Sequence, residues 1–286
     1  MSVTSEDRKA AARSAVGDVG SLTTRKSSER SPAQLIRHTW VLTNRILRRW
    51  SRDPTTLAET LFVPVVFLLT LNIVLGDGIS QVTGHSALYG SVPLVAMVAA
   101  MSGATVGGIG LMRERSDGLL ARLWVLPVHR AAGVVSRLAA EAVRIVAATA
   151  VLMCAGVALG FRFERGILST VGWLLVPTVF GVAFSVAVMT IALYSAKTIV
   201  VEATAVAWGL LMFFSTGFVP LDQYPAWIQP VVQHQPVSYA IEAMRGLSLG
   251  GPVMKPTVGM MLWSVAIVVV CAIPMAIGYR RASMRG

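Results

Sequence analysis

Charge is scarce in this chain. Only 14% of its 286 residues are Asp, Glu, Lys or Arg, against about a quarter in a soluble domain. That shortfall excludes an ordinary water-facing globule and implies that lipid is the main solvent. Cysteine is nearly absent. Cys154 and Cys271 both fall inside apolar stretches and read as small packing residues. A disulfide between them would need two helices to meet at those depths. There is no CxxC and no Cys/His spacing that would hold a metal. His38, His85, His129 and His234 are scattered. No Ser/His/Asp or paired-carboxylate arrangement points to catalysis. No GxxxxGK[ST] occurs, so the chain cannot cradle ATP phosphates by that route. Met1–Asp53 has no long apolar run, so no cleavable signal peptide is expected and the first apolar helix must serve as the insertion signal.

What is abundant is apolar surface: 55% of residues are hydrophobic and the mean hydropathy is +0.67. A membrane helix needs about 20 mostly apolar residues to cross ~30 Å of hydrocarbon. Six stretches meet or approach this: Leu57–Leu75, Leu88–Met112, Ala139–Leu159, Ile167–Tyr194, Ile199–Val219 and Val258–Tyr279. The charges they hold, Glu59, Glu141, Arg144 and Glu202, are expected near helix ends, where a side chain reaches the interface.

The basic residues set the orientation. With a cytoplasmic N-terminus, 21 of the 25 Lys and Arg fall on cytoplasmic segments and four, Arg162, Arg165, Arg245 and Lys255, fall outside. Such a bias places both termini in the cytoplasm. The net charge of +11 would suggest nucleic acid in a soluble chain. Here the bases flank apolar spans and no nucleic-acid reading motif accompanies them. Anionic lipid headgroups are the expected partner instead.

Three flanking segments carry information. Met1–Ser31, rich in Ser, Ala, Gly and charge, is expected to be disordered. In Pro32–Trp50, Leu35, Ile36, Trp40, Val41, Leu42, Ile46, Leu47 and Trp50 interleave with Arg37, Arg45, Arg48 and Arg49. At helical spacing this is a basic amphipathic helix on the cytoplasmic membrane surface. Arg113–Arg137 contains a short amphipathic helix, Leu119–Leu126, ended by Pro127. Its apolar side chains need a surface, either lipid or a groove on a partner. Arg113, Glu114 and Arg115 sit where the second span meets water and pair either with a partner or with each other.

On the outer side, Phe218–Pro256 is apolar and broken by prolines. Trp227–Gln233 and Ser238–Leu249 read as helices too short to cross, hence re-entrant or interfacial. Tyr224, Trp227 and Tyr239 suit the headgroup level. Within the spans, Arg137, Glu141 and Arg144 have the spacing of a pair chain along one helix, either a neutralised cluster or a switch that re-pairs during gating. Glu202 is placed to partner Lys197 or another base; an ion-coupling role is the alternative. Gly103-x-x-x-Gly107 and Gly156-x-x-x-Gly160 permit close helix approach, within the bundle or along a face that slides against a second subunit.

These pieces together resemble the membrane subunits of type-2 ABC exporters. The matching segments are the basic N-terminal helix, "MRERSDGLLARLWVLPVHR", "FSTGFVPLDQYPAWIQPVVQHQPVSYAIEAMRGLSLGG" and the C-terminal "AIGYRRAS". They cover most of the chain from Pro32 to Arg281. Among such subunits they are most similar to daunorubicin-resistance permeases, specifically the C-type subunits of actinobacterial, especially mycobacterial, operons.

The resemblance implies an all-α integral membrane fold. It has six transmembrane helices, an N-terminal amphipathic surface helix, and short re-entrant helices between spans five and six. With the disordered cytoplasmic tail (1–31), which falls outside the resemblance, the chain divides into a connecting helix (32–53), a six-helix transmembrane domain (54–281) and a second cytoplasmic tail (282–286).

It also implies roles. Trp40, Arg45, Arg48 and Arg49 would lie on the connecting helix. Arg113, Glu114, Arg115, Leu119, Leu120, Arg122, Leu123 and Trp124 would form the coupling interface with a separate ATPase. Pro220, Tyr224, Trp227, Pro236 and Tyr239 would form an outer gate. The partners would be two copies of an ABC ATPase, which binds the ATP and Mg, and a second permease subunit in a heterodimer. No cofactor would sit on this chain, and it would not itself be an enzyme. Members export amphipathic drugs, conferring antibiotic resistance, or complex envelope lipids, across the cell membrane. The alternative is an ion-coupled secondary transporter. Such folds show inverted repeats and central carboxylates, neither of which is evident in the sequence.

Overall fold

Inside hydrocarbon a backbone amide finds no water, so a spanning segment must close its own hydrogen bonds. Every described element is helical. The computed structural model describes residues 32–83, 86–118 and 131–284. The expectations for Met1–Ser31 and Leu119–Leu126 lie outside them.

Helix α1 spans Pro32–Trp50 and α2 spans Pro54–Leu57; a π-helical turn, Ala58–Phe62, leads from α2 into α3, Val63–Thr83. Then follow α4 (Leu88–Ser116), α5 (Ala132–Ala158), α6 (Gly166–Tyr194) and α7 (Thr198–Phe213). A 3₁₀ turn at Leu221–Gln223 precedes α8 (Gln229–His234), α9 (Pro236–Leu249) and α10 (Met254–Met284). Local chemistry sets several boundaries. Asp53 caps α2, with Pro54 at its first position. Gly118 and Gly250, at φ +68° and +81°, end α4 and α9 in the left-handed region that Cβ disfavours.

Five helices are long and apolar enough to cross: Pro54–Val74, Leu88–Ser116, Ala132–Ala158, Gly166–Tyr194 and Met254–Ala282. The expected fifth span, Ile199–Val219, is shorter than its hydropathy implies. Helix α7 has 16 residues, about 24 Å at 1.5 Å per residue, short of the hydrocarbon thickness. It stops because the next residues turn. Ser215 Oγ donates back to Met212 O at 2.6 Å, and Gly217 is pressed between Leu94 and Ile241.

The helix ends sort into two groups. At the basic end, Arg115 Nη1 donates to Leu193 O and Ser195 O at 2.8 and 3.1 Å. There Tyr194 Oη donates to Pro274 O at 2.9 Å, and Gly278 lies against Leu193 and Tyr194. At the opposite end, Gly90 lies against Gly217, Gly156 against Val92, and Gly259 against Tyr239. Glu164 N donates to Ser248 O there at 3.0 Å. Helices α6 and α10 therefore run parallel. The chain between them travels the length of the bundle once, from Val201 beside Gly108 to Gly217 beside Gly90.

Helix α4 is the centre. Val92, Leu94, Val95, Met97 and Met101 are fully buried, in one cluster with Leu152, Trp173, Phe180, Ile241 and Met244. Helices α3 and α10 instead turn Ile73, Val74, Val269, Val270 and Ile273 outward, as expected of faces bathed in acyl chains. Lipid is as apolar as leucine, so contact between such helices depends on close packing around small residues. Gly181 of α6 is one such point: a Cβ there would lie 2.7 Å from Ile145 Cδ1 and 3.0 Å from Ala100 Cβ. At Gly107, by contrast, an added Cβ meets nothing within 4 Å, so the expected Gly103/Gly107 approach of helices is not made there. Gly181→Val should cost about 1–3 kcal/mol by overpacking and lower the thermal midpoint of the detergent-purified protein by several degrees. Gly107→Val should leave that midpoint unchanged.

Candidate functional site

At the basic end, α1 divides its apolar residues between two faces. Leu35, Leu42, Ile46, Leu47 and Trp50 are half-buried, and buried Thr43 donates to Ser136 O of α5 at 3.2 Å. Ile36, Trp40 and Val41 point away from the bundle; Trp40 is 70% exposed. The single broad stripe expected from the sequence is thus split, because the helix both packs on α5 and keeps an outward apolar edge. Arg45, Arg48 and Arg49 are exposed. They line an open groove of about 710 Å³ together with Trp40, Val41, Arg52 and Asp53. Asp53 accepts from the Thr56 hydroxyl at 2.6 Å and from Thr55 N–H at 3.2 Å. The Thr56 bond first, then Thr55 N–H and the Arg49 charge, hold its carboxyl below the usual range.

The triplet at the end of α4 has separate duties. Arg113 is exposed. Glu114 forms an ion pair with Arg137, and Arg115 fastens the last turn of α6 through its carbonyls. This corrects the expected pair chain, since Arg137 reaches across to Glu114 of α4 rather than along its own helix to Glu141. Leu119, Leu120, Arg122, Leu123 and Trp124 fall outside the described residues. Glu202 is exposed and takes no part in the three ion pairs among the described residues.

The second correction concerns depth. Helix α5 begins seven residues before the expected start, at Ala132. Glu141 and Arg144 therefore occupy its middle rather than its cytoplasmic edge. Both are buried, 3% and 8% exposed. Arg144 grips Glu141 in bidentate fashion, Nη2 to Oε1 at 2.6 Å and Nε to Oε2 at 3.0 Å. Its Nη2 also donates to Ala99 O and Ala100 O of α4 at 3.2 and 3.4 Å. A methyl group at Gly103 would overlap this guanidinium. The glycine admits an arginine head, not a neighbouring helix backbone. An ion deep in a bundle persists only when paired and hydrogen-bonded, and this arrangement supplies both.

At the opposite end, the broken C-terminus of α7 exposes four consecutive carbonyls, and side chains satisfy each. The Tyr224 hydroxyl is shared between Phe213 O and Ser215 O, 3.1 Å from each. Gln235 Nε2 donates to Phe214 O, and Arg245 Nη2 to Thr216 O at 3.0 Å. Arg245 Nη1 is paired with Glu242 at 2.8 Å. Ser238 Oγ accepts from Thr216 N–H at 3.3 Å and from Gln235 Nε2 at 3.0 Å. Burial pushes the Tyr224 phenol above its ordinary pKa.

The expected outer residues are spread over this end. Pro220 leads into the 3₁₀ turn and Pro236 opens α9 at its first position, two residues before the start expected at Ser238. Helix α8 runs from Gln229 to His234 rather than over Trp227–Gln233. Tyr239 lies over Gly259 with its ring edge-on to His234, 6.2 Å between centroids. Trp227 is 78% exposed. The sequence reading missed Gln235, Ser238, Glu242 and Arg245. A signal existed for two of them: Glu242-x-x-Arg245 repeats the spacing of Glu141-x-x-Arg144. Gln235 and Ser238 carry no motif, because their role depends on where α7 breaks.

An all-helical bundle with five helices long and apolar enough to cross defines a multi-pass membrane protein. Residues 37–249 match the family described as ABC-2 type transporter, and the chain belongs to that family. It is 52% identical over 261 residues to the "Probable doxorubicin resistance ABC transporter permease protein DrrC" of Mycobacterium tuberculosis, covering 91% of this chain and 95% of that protein. It is also 28% identical over 234 residues to the "Daunorubicin resistance ABC transporter permease protein DrrB1" of Streptomyces coeruleorubidus, covering 81% of this chain and 82% of that one.

Removing one member of the buried pair strands the other. Glu141→Leu should destabilise by about 3–5 kcal/mol, while Glu141→Leu with Arg144→Met should recover most of the loss. Thermal unfolding of the purified variants reads both. A loss in the double variant equal to the sum of the Glu141→Leu and Arg144→Met losses would show that the two charges are not coupled.

Proposed function

We propose that this chain is the transmembrane permease subunit of an ATP-driven exporter that moves amphipathic molecules outward across the cell membrane. The observation that carries the reading is the family match over residues 37–249, in a chain that has no phosphate-cradling loop of its own. Energy then comes from a separate ABC ATPase, which binds ATP and Mg. Two copies of it work with this chain and a second permease subunit, the pair forming a heterodimer. The drug-resistance names of its relatives favour amphipathic drugs as cargo. The outward apolar faces suit complex envelope lipids equally.

In this reading the chain crosses six times. Five crossings use the long helices, and the sixth uses α7 with the turn to Gly217. Both termini and the basic end are cytoplasmic, in keeping with the bias of Lys and Arg. Helix α1 is the connecting helix, with Trp40, Arg45, Arg48 and Arg49 on its outward side. Leu119–Leu126 is the coupling helix, which docks on the ATPase with Arg113 beside it. Glu114 and Arg115 tie that site to α5 and α6, so a push on the loop reaches the bundle. Residues 218–253 form a re-entrant outer gate over the pathway.

An ion-coupled transporter is the competing reading. The sequence seemed to offer no central carboxylate, yet Glu141 is one. Arg144 holds both of its carboxylate oxygens, which disfavours proton carriage.

The test is co-expression with the ATPase and the second permease. Leu123→Glu with Trp124→Glu should leave membrane insertion intact and reduce stimulated ATP hydrolysis to the basal rate. Unchanged stimulation, or labelling of residues 119–126 from outside the cell, would overturn the coupling role. Transport that follows an ion gradient without the ATPase would favour the competitor.

A further inference from the structure

The groove on the outward side of α1 has a composition that the packing of the bundle does not require. Arg45, Arg48 and Arg49, spaced i, i+3 and i+4, project from one face of α1, and Arg52, in the turn just past its end, lines the same groove. None of the four takes part in an ion pair among the described residues. The one acidic group in the groove, Asp53, is engaged in capping α2. Four guanidiniums held side by side repel one another, so the arrangement favours an anion among them. Guanidinium forks match phosphate oxygens in pairs, which ammonium groups do not. The other end of the groove is apolar, formed by exposed Trp40 and Val41. Two residues beyond Arg52 the first apolar helix begins, so the groove opens beside the membrane surface. A cationic end joined to an indole and an aliphatic side chain at that level matches an anionic phospholipid, with a phosphodiester headgroup and a glyceride body.

We propose that this groove is a binding site for one anionic phospholipid, its phosphate held by Arg45, Arg48, Arg49 and Arg52 and its upper acyl region lying on Trp40 and Val41. The site anchors α1 to the cytoplasmic leaflet and fixes the angle at which Asp53-Pro54 feeds the chain into the bilayer. It does not depend on the exporter reading, since it needs only that the first apolar helix enters the membrane.

The experiment is titration of the full-length, detergent-purified chain with phosphatidylglycerol, phosphatidylcholine or inorganic phosphate, with bound lipid counted by native mass spectrometry. The wild type should bind phosphatidylglycerol at least about tenfold more tightly than phosphatidylcholine. Arg48→Gln with Arg49→Gln should remove that preference. Arg37→Gln, an exposed base on the same helix but outside the groove, should keep it and serves as the control for folding. Equal binding of the two lipids by the wild type would overturn the proposal, as would a preference that survives in the double variant. Displacement of the lipid by millimolar inorganic phosphate would assign the arginines to a free anion instead. Loss of ATPase co-purification in the double variant with lipid preference intact would assign them to a protein surface. Neither of these last two outcomes bears on whether the chain is an exporter permease.

Discussion

Hydrocarbon tolerates neither a bare charge nor an open backbone amide, and each unusual feature of this bundle answers one of those two prohibitions. Arg144 and Glu141 lie in the middle of α5 because they neutralise each other in a bidentate pair and because Gly103 leaves room for the guanidinium against two carbonyls of α4. The break after Phe213 is held because Tyr224, Gln235 and Arg245 donate to the four carbonyls it frees. In water neither group of side chains would be needed. Here removing Glu141 leaves the buried Arg144 without its counter-charge.

The same constraint links stability to motion. Contacts between apolar helices in lipid are weak unless they are close, so polar ties specify which helices move together. Arg115 binds α4 to the end of α6, the pair Glu114–Arg137 binds α4 to α5, and Thr43 binds α1 to α5. These ties gather at the basic end, two of them on the last turn of α4. At the far end, α9 and the 3₁₀ turn hold the end of α7. Helix α4 is packed along its length between this end and the cap on the other side.

The fold class was legible because lipid selects against charge so strongly that composition alone reveals it, and because Lys and Arg stay where the chain was made. The boundaries were less legible. Hydropathy ended the fifth span at Val219, but the helix ends at Phe213, since an apolar turn and an apolar helix look alike until Tyr224 and Gln235 are seen bonding its carbonyls. The third span began seven residues too late in the sequence reading, because Arg137 looks like a terminus until Glu114 is found opposite it.

Of the residues singled out from sequence, those defined by local spacing fared best. Glu141 and Arg144, three apart, are indeed paired, and α1 is helical over the expected Pro32–Trp50. Those defined by long-range partners were out of reach: the Gly103 cradle, the Glu114–Arg137 pair, and the roles of Gln235, Ser238 and Arg245. The sequence alone determined that this is a multi-pass helical membrane protein with a basic end and resembles an exporter permease, because transfer of residues into lipid is a local property that sums along the chain. Only the tertiary structure decided which charges meet and where helices stop, because those depend on atoms brought together from distant parts of the chain.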